Sequence, residues 1–183
     1  MRRTYALLMG LALLVATPGL ATADNTATGT TATGTTPTVT SATGTTATGT
    51  RQQAIDYVIQ RGLSQRGVPF LYGGGDSAGP TRGTGLYANT VGFDASGLMV
   101  YAFAGVGIKM PRTSAQQYMA SRKVAPSEAL PGDLLFYGPN GTQSVAMYLG
   151  NGQMLEATEP VVVVSPVRTN GMTPYLGRII QWS

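Results

Sequence analysis

Few residues of this chain could do catalytic chemistry, and two of the usual kinds are missing. The 183 residues include no cysteine and no histidine, which removes the thiol nucleophile, the imidazole base and the commonest zinc ligands. Carboxylates and hydroxyls remain, chiefly Asp94, Ser96, Ser144 and Glu156. A hydrolase that works with Asp94 and Glu156 alone is left open, because a pair of carboxylates can serve as acid and base. No metal and no cofactor is predicted.

Several of the side chains that could bind a ligand lie near one predicted helix start. Asp94 precedes an apolar run, where Asp is a favoured N-cap residue, although its carboxylate could also bind ligand amines. Ser96 could assist the cap, and Tyr72 could either fill the core or line a cleft. Arg112 could be a solvated charge or could bind ligand carboxylates, and the resemblance of its segment to one that borders the ligand groove in a known family favours binding. The predicted ligand-binding set is Tyr72, Asp94, Ser96, Arg112, Ser114 and Glu156.

Helices are predicted to position these residues in the first half of the globular part. Apolar residues at helical spacing over 54–63 indicate an amphipathic helix. A second helix should begin at Asp94 and end at Gly105 or the next glycine; it is apolar almost all round and therefore buried. A shorter third helix is predicted over 114–121. The polar, glycine-rich stretch 73–90 is predicted to be a long loop.

Strand patterns follow after Pro126. Short apolar runs predict five strands, and an Asn-Gly pair marks a tight hairpin between the second and the third. The predicted strands are 133–137, 143–149, 153–158, 161–167 and 177–182. Helices followed by antiparallel strands indicate an α+β domain, with the N-terminal helices packed on one face of the sheet.

The register of the central hairpin decides which face of the sheet carries Glu156. A three-residue loop at 150–152 pairs residues whose numbers sum to 302, which puts Glu156 opposite Ala146 and on the face of Ser144. A two-residue turn would shift the sum to 303 and turn Glu156 to the other face. The first register gathers more apolar residues on one face. We therefore predict that Ala95, Ser144 and Glu156 converge.

The first fifty residues carry export and spacer signals. Two arginines, an apolar run at 6–16 and small residues at 21–23 are typical of a cleaved signal peptide over 1–23. The apolar run is shorter than the ~20 residues that span a bilayer, so no stable membrane span is predicted. Residues 24–50 repeat a unit rich in Thr, Gly and Ala, and we predict a disordered linker. The protein should be secreted, to the cell wall or the periplasmic space.

Several motifs occur in order over the globular part, residues 51–183. The segment GFDASGL at 92–98 resembles the Asp-Cys-Ser-Gly signature of NlpC-type peptidoglycan endopeptidases, which are papain-like cysteine peptidases that cut the stem peptide of bacterial cell wall. Further segments are similar to those that flank this signature: PFLYGG at 69–74, MPRTSAQQ at 110–117, PGDLLFY at 131–137 and QSVAMYLG at 143–150. The resemblance implies a papain-like NlpC fold and is especially clear to the Rip proteins of mycobacteria.

The resemblance also locates the departures from the family. The catalytic cysteine of the family falls at Ala95 and the histidine at Ser144. A tyrosine that helps to polarise the site in many members falls at Phe70, and only the third triad position, Glu156, keeps a polar group. A methyl group at position 95 can neither attack a carbonyl nor transfer a proton. The resemblance therefore implies a degenerate site and not an enzyme.

These features predict a non-catalytic protein of the cell envelope that binds the stem peptide of peptidoglycan. The alternative is a pseudoenzyme that binds or regulates another, active cell-wall hydrolase. The formal net charge is +4 and the chain has no run of Lys or Arg, which argues against a nucleic-acid partner. A monomer is expected.

Overall fold

The computed structural model of the chain describes residues 43–84 and 88–181. The predicted signal peptide over 1–23 and the first part of the predicted linker lie outside the described residues. The first helix, α1 (Thr43–Leu63), ends as the amphipathic pattern predicts but begins within the range assigned to the linker.

The described residues form three α-helices, namely α1, α2 (Ala95–Ala104) and α3 (Ser114–Ala120). The strands in the same residues are β1 (Thr81–Arg82), β2 (Val91–Gly92), β3 (Arg122–Val124), β4 (Leu134–Tyr137), β5 (Ser144–Gly150), β6 (Gln153–Ala157), β7 (Val162–Pro166) and β8 (Leu176–Arg178). Two short 3₁₀ turns lie at Pro126–Glu128 and Pro139–Gly141.

Helices α2 and α3 begin where the sequence predicts them because each has a polar cap. Asp94 caps α2: its Oδ1 accepts a hydrogen bond from the Gly97 N–H at 2.7 Å. Thr113 caps α3 in the same way by accepting from the Gln116 N–H. A cap of this kind is worth about 1 kcal/mol. Both helix starts are therefore decided locally, by residues within one turn of each other.

Strands β3 to β8 form one antiparallel sheet in the order β3-β8-β4-β5-β6-β7. Five of these strands lie where the sequence predicts them. The sixth, β3, escapes the strand pattern because it has three residues, of which Arg122 and Lys123 are charged and exposed. Strand β1 lies within the stretch predicted to be a loop, and it pairs with β2, which directly follows that stretch, as a separate two-stranded ribbon. The α+β class is confirmed, with six strands where about five were predicted.

The predicted register of the β5–β6 hairpin is confirmed next to the turn. Met147 pairs with Leu155 and Tyr148 with Met154, so the residue numbers sum to 302. A β-bulge between Tyr148 and Gly150 then shifts the pairing by one residue, so that Gly150 pairs with Gln153. The turn therefore has two residues, and the predicted three-residue loop is wrong. Because the shift lies at the hairpin end, the alternation of faces along the rest of both strands is unchanged.

The sheet is buried on both faces. On one face α1 and α2 supply Val58, Leu98, Met99 and Phe103, which pack with sheet residues such as Met147. The opposite face carries a smaller apolar cluster made of Val124, Leu135, Tyr137, Ala146, Met154 and Leu176. Side chains alternate between the two clusters along each strand, as the pleat requires. None of the helices in the described part of the chain is long and apolar enough to cross a membrane.

A buried ion pair ties β8 to the start of β4. Arg178 donates from Nε and Nη2 to the two carboxylate oxygens of Asp133, both at 2.7 Å, and the side chains are 8% and 3% exposed. The Leu130 N–H donates to the same carboxylate at 2.8 Å. The hydrogen bonds to Asp133 raise the pKa of Arg178, and burial acts in the opposite direction. The guanidinium therefore stays charged in the core.

Candidate functional site

An open pocket lies where the N-terminus of α2 meets the start of β5 and the end of β6. It encloses about 520 Å³, a size typical of ligand sites. Its walls come from the glycine-rich loop and the residues before it, from the starts of α2 and α3, and from the ends of β5 and β6. The lining residues are Phe70, Tyr72, Gly73, Thr84, Asp94, Ala95, Ser96, Arg112, Thr113, Ser114, Thr142, Gln143, Ser144, Ala157 and Thr158.

Asp94 is the centre of a hydrogen-bond network at the pocket wall. Its Oδ1 accepts from the Gly97 N–H and from the Ser96 hydroxyl, at 2.7 and 3.1 Å. Its Oδ2 accepts from the Gly73 N–H at 3.0 Å. Arg112 reaches both oxygens, Nη1 to Oδ1 at 2.9 Å and Nη2 to Oδ2 at 2.7 Å. The carboxylate therefore caps the helix, as favoured from sequence, and also fastens the glycine-rich loop to it.

The terminal N–H groups of Arg112 all donate hydrogen bonds within this network. Besides Asp94, its Nη1 donates to the Ser96 hydroxyl oxygen at 3.0 Å and its Nη2 to the Gly74 carbonyl at 3.1 Å. All four terminal N–H groups thus have partners inside the protein. The side chain is 41% exposed, so it lines the pocket, but its terminal donors are not available to a ligand carboxylate. The direct contact predicted from sequence therefore stays without structural support.

Close approach of two backbones holds the glycine-rich loop against α2. A Cβ placed on Gly97 would lie 2.2 Å from the Gly74 carbonyl oxygen, a distance that no side chain tolerates. Gly73 has φ near +80°, a conformation that glycine adopts at little cost. This geometry turns Tyr72 outward, where it is 69% exposed and lines the pocket. The sequence left open whether Tyr72 fills the core or lines a cleft, and its position is that of a cleft-lining residue.

The positions of the first two family triad residues share this pocket. Ala95 is the first residue of α2 and Ser144 the first residue of β5, and both line the cavity, together with Phe70. Ser114, the first residue of α3, lines it from another side and is 9% exposed. Of the predicted ligand-binding residues, all but Glu156 are thus gathered around one cavity.

Glu156 lies outside the lining and has protein partners. It is 3% exposed, and Nη1 of Arg168 donates to both of its carboxylate oxygens at 2.7 Å. The Ser165 hydroxyl donates to Oε1 at 2.5 Å. The Arg168 guanidinium also stacks over the ring of Tyr137, 4.7 Å from its centroid. Burial raises the pKa of Tyr137, as does the charge of Glu156 to a smaller extent, while Arg168 opposes the shift.

Some residues that line the pocket were not predicted from the sequence. Thr142 and Gln143 precede β5, and Thr158 follows β6. The register that places Glu156 opposite Ala146 also brings Thr158 level with Ser144, so the hairpin pattern contains a signal for Thr158. Arg168 has no such signal, because its position follows from the path of the chain beyond β7.

The chemical groups that line the pocket can make contacts with a ligand. At the helix start, where a nucleophile would be activated by the helix dipole, stands the methyl group of Ala95. Ser144 supplies a hydroxyl with no imidazole anywhere in the chain to take its proton. Hydroxyl groups, one amide and one exposed aromatic ring remain for contacts with a ligand.

Helices packed on one face of an antiparallel sheet, with a pocket at the start of the central helix, define a domain of the P60 type. The chain belongs to the NlpC/P60 family, whose model matches residues 67–181. The resemblance to NlpC-type proteins that the sequence motifs carry is thereby confirmed.

The similar proteins include one named as an endopeptidase and one described as non-catalytic. The peptidoglycan endopeptidase RipA of Mycolicibacterium smegmatis is 60% identical over 133 residues, which cover 72% of this chain and 27% of RipA. The chain thus spans about a quarter of the length of that relative. The structure of RipD from Mycobacterium tuberculosis, described as a non-catalytic NlpC/p60 domain protein adapted to peptidoglycan binding, has 67% sequence identity and a TM-score of 0.68. The match covers 70% of this chain and 98% of that chain, and it confirms the predicted likeness to the Rip proteins.

Three structures of RipA mutated at a cysteine, a histidine and a glutamate are also similar. They have 57%, 57% and 55% sequence identity and TM-scores of 0.70, 0.70 and 0.69, in the order cysteine, histidine and glutamate. Each match covers 72% of this chain and about two thirds of the RipA chain.

Proposed function

We propose that this chain is a non-catalytic protein of the cell envelope that binds the stem peptide of peptidoglycan in the pocket at the start of α2. The observation that carries the proposal is the combination of an open pocket of about 520 Å³ with a chain that has no cysteine and no histidine. The chemistry of a cysteine peptidase requires both groups, whereas a binding groove requires neither.

The spacing of the mutated RipA residues supports this assignment. The cysteine, the histidine and the glutamate of RipA are separated by 49 and 12 residues. Ala95, Ser144 and Glu156 have the same separations. This equal spacing supports the proposal that Ala95 and Ser144 take the places of a cysteine and a histidine of RipA, a protein named as an endopeptidase.

Within the proposed site, the residues divide into contacts and supports. Tyr72 offers an exposed ring that can pack against the aliphatic parts of a peptide, and Ser114 and Ser144 offer hydroxyls. Asp94 and Arg112 hold the wall in place through their ion pair. Glu156 lies on β6 outside the cavity and pairs with Arg168, which follows β7, so it ties this segment to the sheet. RipD, with 67% identity, is described as peptidoglycan-binding, which is consistent with a site at the cell wall.

Co-sedimentation with purified, insoluble cell wall tests the proposal. We expect the chain to pellet with wall, and Tyr72→Ala to weaken binding by about 1 kcal/mol or more, because aromatic anchors contribute most to binding. The matched control is Tyr175→Ala, which removes a tyrosine that is 49% exposed but does not line the pocket.

Three results would contradict the proposal. Equal losses in both tyrosine variants would indicate a merely adhesive surface. Cleavage of cell-wall fragments, detected by mass spectrometry, would favour the interpretation that the chain is a hydrolase with unrecognised catalytic residues. Capture of an active cell-wall peptidase by a chain that does not bind wall would favour the pseudoenzyme regulator instead.

A further inference from the structure

The charge of the pocket wall is balanced within the protein. Among the described lining residues, Asp94 and Arg112 are the ones that carry a charge, and they pair with each other at 2.7 Å. Each terminal N–H of the guanidinium already has an acceptor. The residues 85–87, which lie outside the description, are Gly, Leu and Tyr and add no charge. A ligand carboxylate therefore meets no uncompensated cation at this wall.

The rest of the polar lining is uncharged and can both donate and accept hydrogen bonds. The Ser96 hydroxyl is engaged with Asp94 and Arg112. Seven further hydroxyl groups and one primary amide belong to the lining, from Tyr72, Thr84, Thr113, Ser114, Thr142, Gln143, Ser144 and Thr158. The first N–H groups of a helix have no partner within the helix, so the start of α2 adds donors for a carbonyl oxygen. The positive end of the helix dipole is opposed by the Asp94 carboxylate that caps it.

An amide group matches this wall better than a carboxylate does. Its carbonyl oxygen can accept from the helix start and its N–H₂ can donate to the hydroxyls. A carboxylate is an acceptor only, and moving it from water into a site without a cation costs hydration energy. On the basis of the function proposed above, we infer that the pocket selects stem peptides whose carboxyl groups are amidated over those whose carboxyl groups are free.

Two synthetic stem peptides that differ only in this respect test the inference. We expect the full chain to bind the amidated peptide about tenfold more tightly in calorimetry, since one uncompensated charge typically costs at least that factor. Binding of the amidated peptide should change little between low and high salt, because no net charge is neutralised.

Asp94→Asn should reverse the preference. Asparagine still caps a helix well, but the substitution leaves the Arg112 guanidinium without its counter-charge, so the free-carboxylate peptide should now bind more tightly and with salt dependence. The control is Asp56→Asn, which makes the same change in charge at an exposed position on α1 and should keep the preference of the parent chain. Circular dichroism of each variant verifies that it is folded, and the comparison of the two peptides with the parent chain does not depend on any variant.

The outcomes separate this inference from the function on which it rests. Equal binding of both peptides, or tighter binding of the free-carboxylate peptide by the parent chain, overturns the inference while wall binding stands. Binding to wall without binding to either peptide also overturns it, because the pocket is then not the seat of the ligand. Loss of binding to both peptides and to wall overturns the proposed function itself.

Discussion

Truncation of Arg112 distinguishes a residue that builds the pocket from one that contacts the ligand. Its four terminal N–H groups donate within the protein at 2.7–3.1 Å, to Asp94, Ser96 and Gly74. Hydrogen bonds of charged groups contribute ~1.5–3 kcal/mol each. The side chain is 41% exposed, however, so water replaces part of each interaction when the guanidinium is removed.

We therefore expect Arg112→Ala to lower the free energy of unfolding by about 1.5–3 kcal/mol in total, well below the sum of four separate bonds. Urea denaturation followed by circular dichroism measures this change. The matched control is Arg122→Ala, which truncates an exposed arginine on β3 and should change the free energy of unfolding by less than about 0.5 kcal/mol.

Wall binding supplies the second measurement on the same variant. Because the terminal N–H groups of Arg112 are engaged, the salt dependence of co-sedimentation with wall should be the same for Arg112→Ala and the parent chain. Unchanged stability together with a loss of wall affinity that shrinks at high salt would refute this reasoning. The direct contact with a ligand carboxylate, predicted from sequence, would then be correct.

Three further predictions concern the site and the core. Ala95→Cys alone should give no measurable hydrolysis of cell-wall fragments. The double variant with Ser144→His should cleave them at least about 100-fold faster than the single variant, which is the usual contribution of a general base. Appreciable cleavage by the single variant would contradict this prediction. Asp133→Ala should lower the free energy of unfolding by about 3–5 kcal/mol, because it leaves the Arg178 guanidinium buried and unpaired; a loss below about 1 kcal/mol in urea denaturation would count against a buried pair. Since burial raises the pKa of Tyr137 above the ordinary value of 10.0, its contribution to stability is complete below pH 10 and should be lost as the pH rises through the folded-state pKa. Tyr137→Phe should flatten this alkaline decline in a pH series of unfolding curves, and an identical decline in both proteins would argue against it.

Local features of the fold follow from the sequence because their causes lie within a few residues. Asp94 and Thr113 cap helices that begin at the next residue, and the caps act through N–H groups three residues on. The β5–β6 register follows from the spacing of apolar residues around a tight turn, and it holds for Met147 and Leu155. By contrast, β3 is paired with β8 from more than fifty residues away, and its own three residues carry no strand pattern.

The candidate site could be predicted in its membership but not in its connections. One cavity is lined by Tyr72, Asp94, Ser96, Arg112 and Ser114. This grouping could be predicted because the motifs that contain these residues resemble segments of the family. Glu156 also lies on the strand predicted for it. Its partner is another matter, since Arg168 reaches it from the segment after β7.

The sequence by itself determined that these 183 residues supply neither the thiol nor the imidazole of a cysteine peptidase, because the absence of cysteine and histidine is a matter of composition. It also determined the order of helices and strands, because capping and apolar spacing act locally. Only the tertiary structure decided how the charges are used. The partners of Arg112 lie 16 to 38 residues away in sequence, and a long, flexible side chain takes whichever acceptors the folded backbone brings within reach. Whether an arginine contacts a ligand or stabilises the side of the pocket is therefore decided by packing, not by the residue type.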